Sequence, residues 1–242
     1  MTGGERVVVV GALSEEVAAL AGRLRDRVEH HAGDLRFAEG SLAGRRLGVA
    51  ATGDGPRRAA RGLRDLIETF RPAQIWVIGV AGGLSPDLEV GDLVAARAVL
   101  DGVSREAWRS SLLPVARATP GTVVTADRIL SFAEDKRQLW EALGSPASAV
   151  VDVESSACVR VAQAAGVAWR VLRAVSDPAA VDLPLDFESF RNGEGSLERS
   201  RIARHAAVRP SVVRRLLELR GVVERCGVRL AEAVAHQLEV ER

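Results

Sequence analysis

Cysteine is scarce in this chain. The 242 residues hold two, Cys158 and Cys226. Neither sits in a CxxC or Cys/His spacing, so a metal centre has no support in the sequence. Cys158 falls on an apolar stripe and reads as core rather than chemistry. Lysine is scarcer still: of 33 basic residues only Lys136 is a lysine, a preference for arginine that genome composition would produce. An excess of either charge is also missing. There are 33 basic against 32 acidic residues, a formal net charge of +1, which gives no electrostatic case for nucleic acid or an anionic membrane as partner. No apolar run approaches the ~20 residues of a membrane span. The start, MTGGERVVVVG, lacks the charged region, long apolar stretch and small-residue cleavage site of a secretory signal. A soluble cytoplasmic protein is expected. The dinucleotide fingerprint GxGxxG is missing too, both in GALSEE after the first apolar run and in GVAGG at 79–83. A nicotinamide-dependent dehydrogenase is therefore poorly supported.

What is present is material for one core. Hydrophobic residues make up 47% and charged residues 27%, enough for both a buried interior and a soluble surface. No repeat and no linker composition divides the chain, so residues 1–242 are read as a single domain. RVVVVG (6–11) is continuous rather than alternating, as in a strand buried on both faces. Ser14 then opens an expected helix to about Arg27. Residues 35–50 read as a hairpin turning at Gly44. A helix follows GDGPRRAARG to about Phe70, then strands at 73–80 and 93–100. The segment 101–121 reads as irregular, 123–127 as a short strand and 132–143 as a helix. Another helix follows the acids at 151–154, and 168–177 reads as a strand. Residues 178–207 read as a loop, and 211–238 as a closing helix. Strands alternating with helices predict an α/β fold: three layers, α/β/α, around a central mixed, largely parallel sheet.

In such sheets ligands bind beyond the carboxyl ends of the strands. The segments found there are GALSEE, GVAGG, DVES and RAVSD. Val80, Ala81 and Gly82 form a run where backbone can come close to a flat or compact ligand. Asp152 and Glu154 flank a valine where a helix starts, which capping alone would explain. Alternation puts Arg173, Val175 and Asp177 on one face of the last strand. An Arg and an Asp at the mouth of a buried strand form either a structural ion pair or part of a site.

Five pieces occur in order over about 6–180: VVGALSEEV (9–17), IGVAGGLSPDLEVGDLV (78–94), TADRI (125–129), VDVESSACVRVAQAAGV (151–167) and VLRAVSDPA (171–179). Together they resemble the nucleoside phosphorylase/nucleosidase superfamily, and most of all its methylthioadenosine/S-adenosylhomocysteine nucleosidase branch. The resemblance implies cleavage of the N-glycosidic bond of a purine nucleoside, a 5'-substituted adenosine, by water. It implies that Glu154 binds the ribose hydroxyls, with Asp152 as a neighbouring acid and Val153 at the sugar contact. Asp177 would hand a proton to purine N7, and Glu16 would deprotonate the attacking water. Arg173 would organise that water and its carboxylates. Ile129 would stand near the base. A homodimer or larger ring is implied, and no cofactor. The chemistry asks for the same residue types on its own account: an acid protonated near neutrality for the leaving base, a second carboxylate for water, and acceptors on the sugar.

The chain departs from that pattern in three places. Val80 replaces a hydroxyl residue and Val153 a methionine, and Ile129 stands near a position that often holds an aromatic. GDGPRRA and DLP resemble a narrower branch, the hopanoid-associated phosphorylases. That branch implies the alternative of phosphorolysis, including adenosyl-hopane-type substrates. Arg57 and Arg58 at a helix N-terminus would then hold phosphate, although such residues are also ordinary solvated charge. GALSEE has no Arg and GVAGG no hydroxyl, which favours hydrolysis. A non-catalytic nucleoside-binding protein is the third reading. Two spatial expectations follow. Glu16, Glu154, Arg173 and Asp177 should line one pocket. The loop carrying Leu183, Pro184, Leu185, Phe187 and Phe190 should wall the 5' end of the ribose.

Overall fold

The computed structural model describes residues 5–110, 112, 115–193 and 195–241. The continuous valine run forms β1 (Arg6–Gly11), and Val7 to Val10 are all buried. β1 lies parallel to both β4 (Arg45–Ala51) and β5 (Gln74–Gly83). Its side chains alternate between two cores. Val7 and Val9 pack with α1 (Ser14–Ala21) and α6 (Pro210–Val240). Val8 and Val10 pack with α2 (Pro56–Phe70) and α4 (Ser155–Ala164). This is the three-layer arrangement expected, with helices on both faces of a mixed sheet.

The remaining strands are β2 (Arg25–Ala32), β3 (Leu35–Leu42), β6 (Leu93–Asp101), β7 (Ala107–Arg109), β8 (Thr119–Thr125), β9 (Ala149–Asp152) and β10 (Ala168–Asp177). The order runs β10-β6-β8-β9-β5-β1-β4-β3-β2, and β10 also pairs with β5. Strands β10, β6, β8, β9 and β5 therefore close on themselves, and β1, β4, β3 and β2 extend the sheet from β5. Closure draws the ends of β5, β9 and β10 together, where an open sheet would spread them.

Four local expectations are corrected. The first helix stops at Ala21, with Gly22 as its C-cap. The chain then forms β2, which pairs antiparallel with β3. Its side chains are largely exposed and many are charged, as suits a sheet edge. Residues 101–121 contain β7 and the start of β8; Ser111, Leu113 and Pro114 lie outside the described residues. The stretch before α4 holds a buried strand, β9, between β8 and β5. Residues 178–207 contain a 3-10 turn (Phe187–Phe190) and α5 (Arg199–Ala207). Helix α3 (Ala133–Ala142) and strand β10 fall where expected.

The seating of α1 sets where Glu16 stands. Helix α6 crosses it at Gly227, where a Cβ would come within 2.3 Å of the Glu15 carbonyl oxygen. Without a side chain at 227 the two helices approach closely enough to hold the start of α1 over the ends of β1 and β5.

Candidate active site

A cavity of about 270 Å³ opens where β1, β5, β9 and β10 end. Glu16, Glu154 and Asp177 all line it, though 161 positions of sequence separate the outer two. All three are nearly inaccessible, at 2%, 9% and 6% exposure. An unpaired carboxylate buried this far is expensive, so what holds each one matters.

Backbone amides hold the first two. Glu16 accepts from the N–H of Leu13 at 2.8 Å and of Val80 at 2.9 Å. Burial still raises its pKa, against the opposing pull of Arg173. Glu154 accepts from the N–H of Gly55 at 2.9 Å. Burial lifts its pKa to about 7, with a further push from Asp152. Gly55 is the N-cap of α2 and has a φ of 96°, open to glycine and strained for other residues. The positive end of α2 thus faces the Glu154 carboxylate.

Asp152 ends β9 and Glu154 stands at the N-cap of α4, without a side-chain capping bond. Asp152 takes most of the structural work. It accepts from Thr125 Oγ1 at 3.0 Å and from the Ser155 amide at 3.3 Å, and it pairs with Arg173 at 2.5 Å. Arg173 also donates to Ser155 Oγ at 2.9 Å. Capping therefore accounts in part for Asp152 and not for Glu154.

Arg173 differs from expectation in two ways. It pairs with Asp152 rather than Asp177, and it lies beneath the cavity rather than in its lining. Its guanidinium passes under Gly79. A Cβ there would stand 2.3 Å from Arg173 Nη1 and 2.7 Å from Glu16 Oε1. The first glycine of GVAGG thus makes room for the protein's own charged side chains. Val80, Ala81 and Gly82, the next three residues, line the cavity.

Asp177 has a partner that the sequence reading overlooked. Lys136 of α3 donates to its Oδ2 at 2.9 Å, and Ser176 Oγ donates to its Oδ1 at 2.6 Å. Burial raises the Asp177 pKa and Lys136 opposes that rise. α3 reads as a solvated helix, so periodicity gave no warning; the one signal was a lone lysine among arginines.

The other expected residues divide. Asp152, Val153 and Ile129 line the cavity. Arg57 and Arg58 are exposed and do not. The arginines that do line it are Arg128 and Arg191, engaged by Asp135 and Glu188. Of the five apolar loop residues, Leu183 and Phe187 contribute to the lining, joined by Leu197 and by Leu219 and Val223 of α6. Phe190 is buried edge-on against His205, with ring centroids 5.2 Å apart. Cys158 is buried and its thiol is pushed up to about 12, consistent with a core role. Among the described residues, no group of three His, Cys, Asp or Glu could hold a metal ion.

A family model described as the phosphorylase superfamily matches residues 6–114 and 104–207. The 5'-methylthioadenosine/S-adenosylhomocysteine nucleosidase of Actinobacillus succinogenes is 28% identical over 211 residues, covering 76% of this chain and 91% of that protein. The protein of the same name from Geobacillus thermodenitrificans is 29% identical over 213 residues, covering 76% and 89%. Among solved structures, the S-adenosylhomocysteine nucleosidase of Streptococcus pyogenes in complex with 5-methylthiotubericidin aligns with a TM-score of 0.73. That alignment covers 100% of this chain and 99% of the other at 19% identity. The futalosine hydrolase of Helicobacter pylori aligns with a TM-score of 0.71, covering 98% of each chain at 17% identity.

Proposed function

Because the chain belongs to the phosphorylase superfamily, we propose that it is a nucleosidase that cleaves the N-glycosidic bond of a 5'-substituted adenosine with water. The observation that carries this is the convergence of four buried carboxylates on one cavity, Asp152 paired with Arg173 and Glu16, Glu154 and Asp177 each in a different setting. Cleavage builds positive charge on the sugar and negative charge on the leaving base. Asp177 donates a proton to N7 of the purine, and burial keeps that carboxyl protonated further up the pH scale than an ordinary Asp. Glu16 takes a proton from water, whose oxygen bonds to C1'. Its raised pKa makes it a stronger base than a surface carboxylate. Glu154 binds the ribose hydroxyls, and Asp152 and Arg173 keep the floor beneath it rigid. Solvent then resets Glu16 and Asp177.

Water rather than phosphate is supported by the electrostatics. The N-terminus of α2 would suit an anion, but Glu154 already occupies its Gly55 amide. Arg57 and Arg58 stand outside the lining, and Arg128 and Arg191 are paired. The apolar wall of Leu183, Phe187, Leu197, Leu219 and Val223 supports an apolar 5' substituent, such as the methylthio group in the relatives' name. We also infer a homo-oligomer working in the cytoplasm. No helix among the described residues is long and apolar enough to cross a membrane. The exposed Val213 and Leu217 of α6, with Val208 at the end of α5, support a subunit contact there.

The test is to supply 5'-methylthioadenosine with and without phosphate and follow adenine and the sugar. Equal adenine release in both, with a free sugar, is expected. Release only with phosphate, giving a sugar 1-phosphate, would replace this reading with phosphorolysis, and no release with tight binding would replace it with a binding protein.

A further inference from the structure

Arginine fills 32 of the 33 basic positions, so the surviving lysine marks a place where a guanidinium does not serve. Lys136 is 0% exposed, although its neighbours on α3, Arg137 and Gln138, face solvent. Its ammonium has three N–H groups and finds three acceptors: Asp177 Oδ2 at 2.9 Å, the Pro178 carbonyl at 2.7 Å and the Val181 carbonyl at 2.9 Å. A planar guanidinium with five donors cannot fill that set. Lys136 itself stays out of the cavity lining, behind the acid.

Lys136 is the one charged group set against Asp177 among the described residues. From β10 the neighbour is the Ser176 hydroxyl. From β5 it is Gly82, where a Cβ would come within 3.2 Å of Asp177 Oδ2. From α6 it is Cys226, a thiol kept neutral by burial. A buried ion pair is seldom worth more to stability than a packed apolar pair, so stability alone is a poor reason for this one.

We propose that Lys136 is a positioning residue for the proton donor. It fixes one carboxyl oxygen of Asp177 and stabilises the carboxylate left when the proton goes to the base. This rests on Asp177 being the acid of the proposed reaction. As N7–H forms, the Asp177 O–H bond breaks and its electron pair stays on the carboxylate. Lys136 exchanges no proton in this step and keeps its hydrogen bond to Asp177 Oδ2. In the substrate complex Asp177 is neutral and gains little from the cation; in the transition state it is becoming an anion and gains much.

Lys136→Met should therefore lower kcat by roughly 10²-fold, the loss seen on removing one preorganised donor, with KM nearly unchanged. Without the cation the acid of the free enzyme holds its proton more tightly, so the alkaline limb of the kcat/KM profile should move to higher pH. A second measurement needs no substitution at Lys136. Labelling with ¹⁵N-lysine gives one side-chain signal, because there is one lysine. That signal should shift with the same midpoint as the alkaline limb in the unaltered protein, and the step should vanish in Asp177→Asn. If Lys136→Met fails to fold, the labelled wild type decides the matter. A signal that stays flat across the pH range where turnover falls would overturn the proposal. So would a folded Lys136→Met with normal kcat and an unmoved limb while Asp177→Asn is inactive. An active Asp177→Asn would sink the assignment of the acid itself, a separate failure.

Discussion

Glu154 carries a stability cost that its proposed task explains. Its carboxyl titrates at 4.5 when exposed and at about 7 when folded. Between those values the folded protein holds a proton that the unfolded chain has lost. Stability therefore falls as pH rises from about 4.5 through about 7, by up to about 3 kcal/mol. Glu154→Gln should remove that penalty. Its melting temperature is expected to match the wild type near pH 4.5 and to exceed it by several degrees at pH 8, since about 1 kcal/mol is worth ~2–4 °C at this size. Thermal unfolding at both pH values checks this, and a constant difference would contradict it. Glu16→Gln should keep the fold and lose ~10²–10⁴-fold in kcat, because an amide cannot take the water's proton. Initial rates with 5'-methylthioadenosine would show it, and near-normal turnover would dismiss Glu16 as base. Glu154 and Asp177 were legible at this scale because each sits where a buried strand or helix ends or begins, and Glu16 only through the resemblance carried by VVGALSEEV. Lys136 was not, because nothing local to AEDKRQ points to a contact 41 positions away.

Among the elements, GVAGG is packed directly against the charged groups of the site. A methyl group on Gly79 would enter the space of Arg173 and Glu16 at 2.3 and 2.7 Å. Gly79→Ala should destabilise by about 1–3 kcal/mol, typical of overpacking, and should displace Glu16 enough to cost most of the turnover. Gly166→Ala is the comparison. Gly166 has a φ of 67° but open space around it, so turnover should be untouched. Melting curves and initial rates on the two variants separate the effects; equal activity losses would argue against crowding at Gly79. β1 was readable from its continuous apolar run, and α2, α3, β10 and α6 from their length and patterning. β2 was not, because a polar edge strand carries no alternating apolar signal and the stripe of α1 runs on to Leu24. β9 was not, because four buried residues before a helix look like the helix's own entry.

The molecule as a whole joins parts that no single segment reveals. Pairing of β10 with both β5 and β6 closes the strands into a ring, a long-range choice that local periodicity cannot encode. That closure, with α6 laid across α1, forms a cavity whose Glu16, Glu154 and Asp177 come from three segments and whose apolar wall comes from Leu183, Phe187 and Leu197 and from α6. A polar group in that wall should act on the 5' substituent and not on the base. Leu219→Asn and Phe187→Ser should each lower kcat/KM for 5'-methylthioadenosine by about 10-fold, within the range for an apolar contact. Adenosine should change little. Parallel assays of both substrates test this, and equal losses on the two would remove the wall from substrate selection. The central claim is that this cavity delivers water to C1' while Asp177 protonates the base. It is tested most directly by turning over 5'-methylthioadenosine in ¹⁸O-water with saturating phosphate and weighing the products. The expected result is free adenine and a methylthio sugar carrying one ¹⁸O, with no dependence on phosphate; an unlabelled sugar 1-phosphate, or no adenine at all, would contradict it.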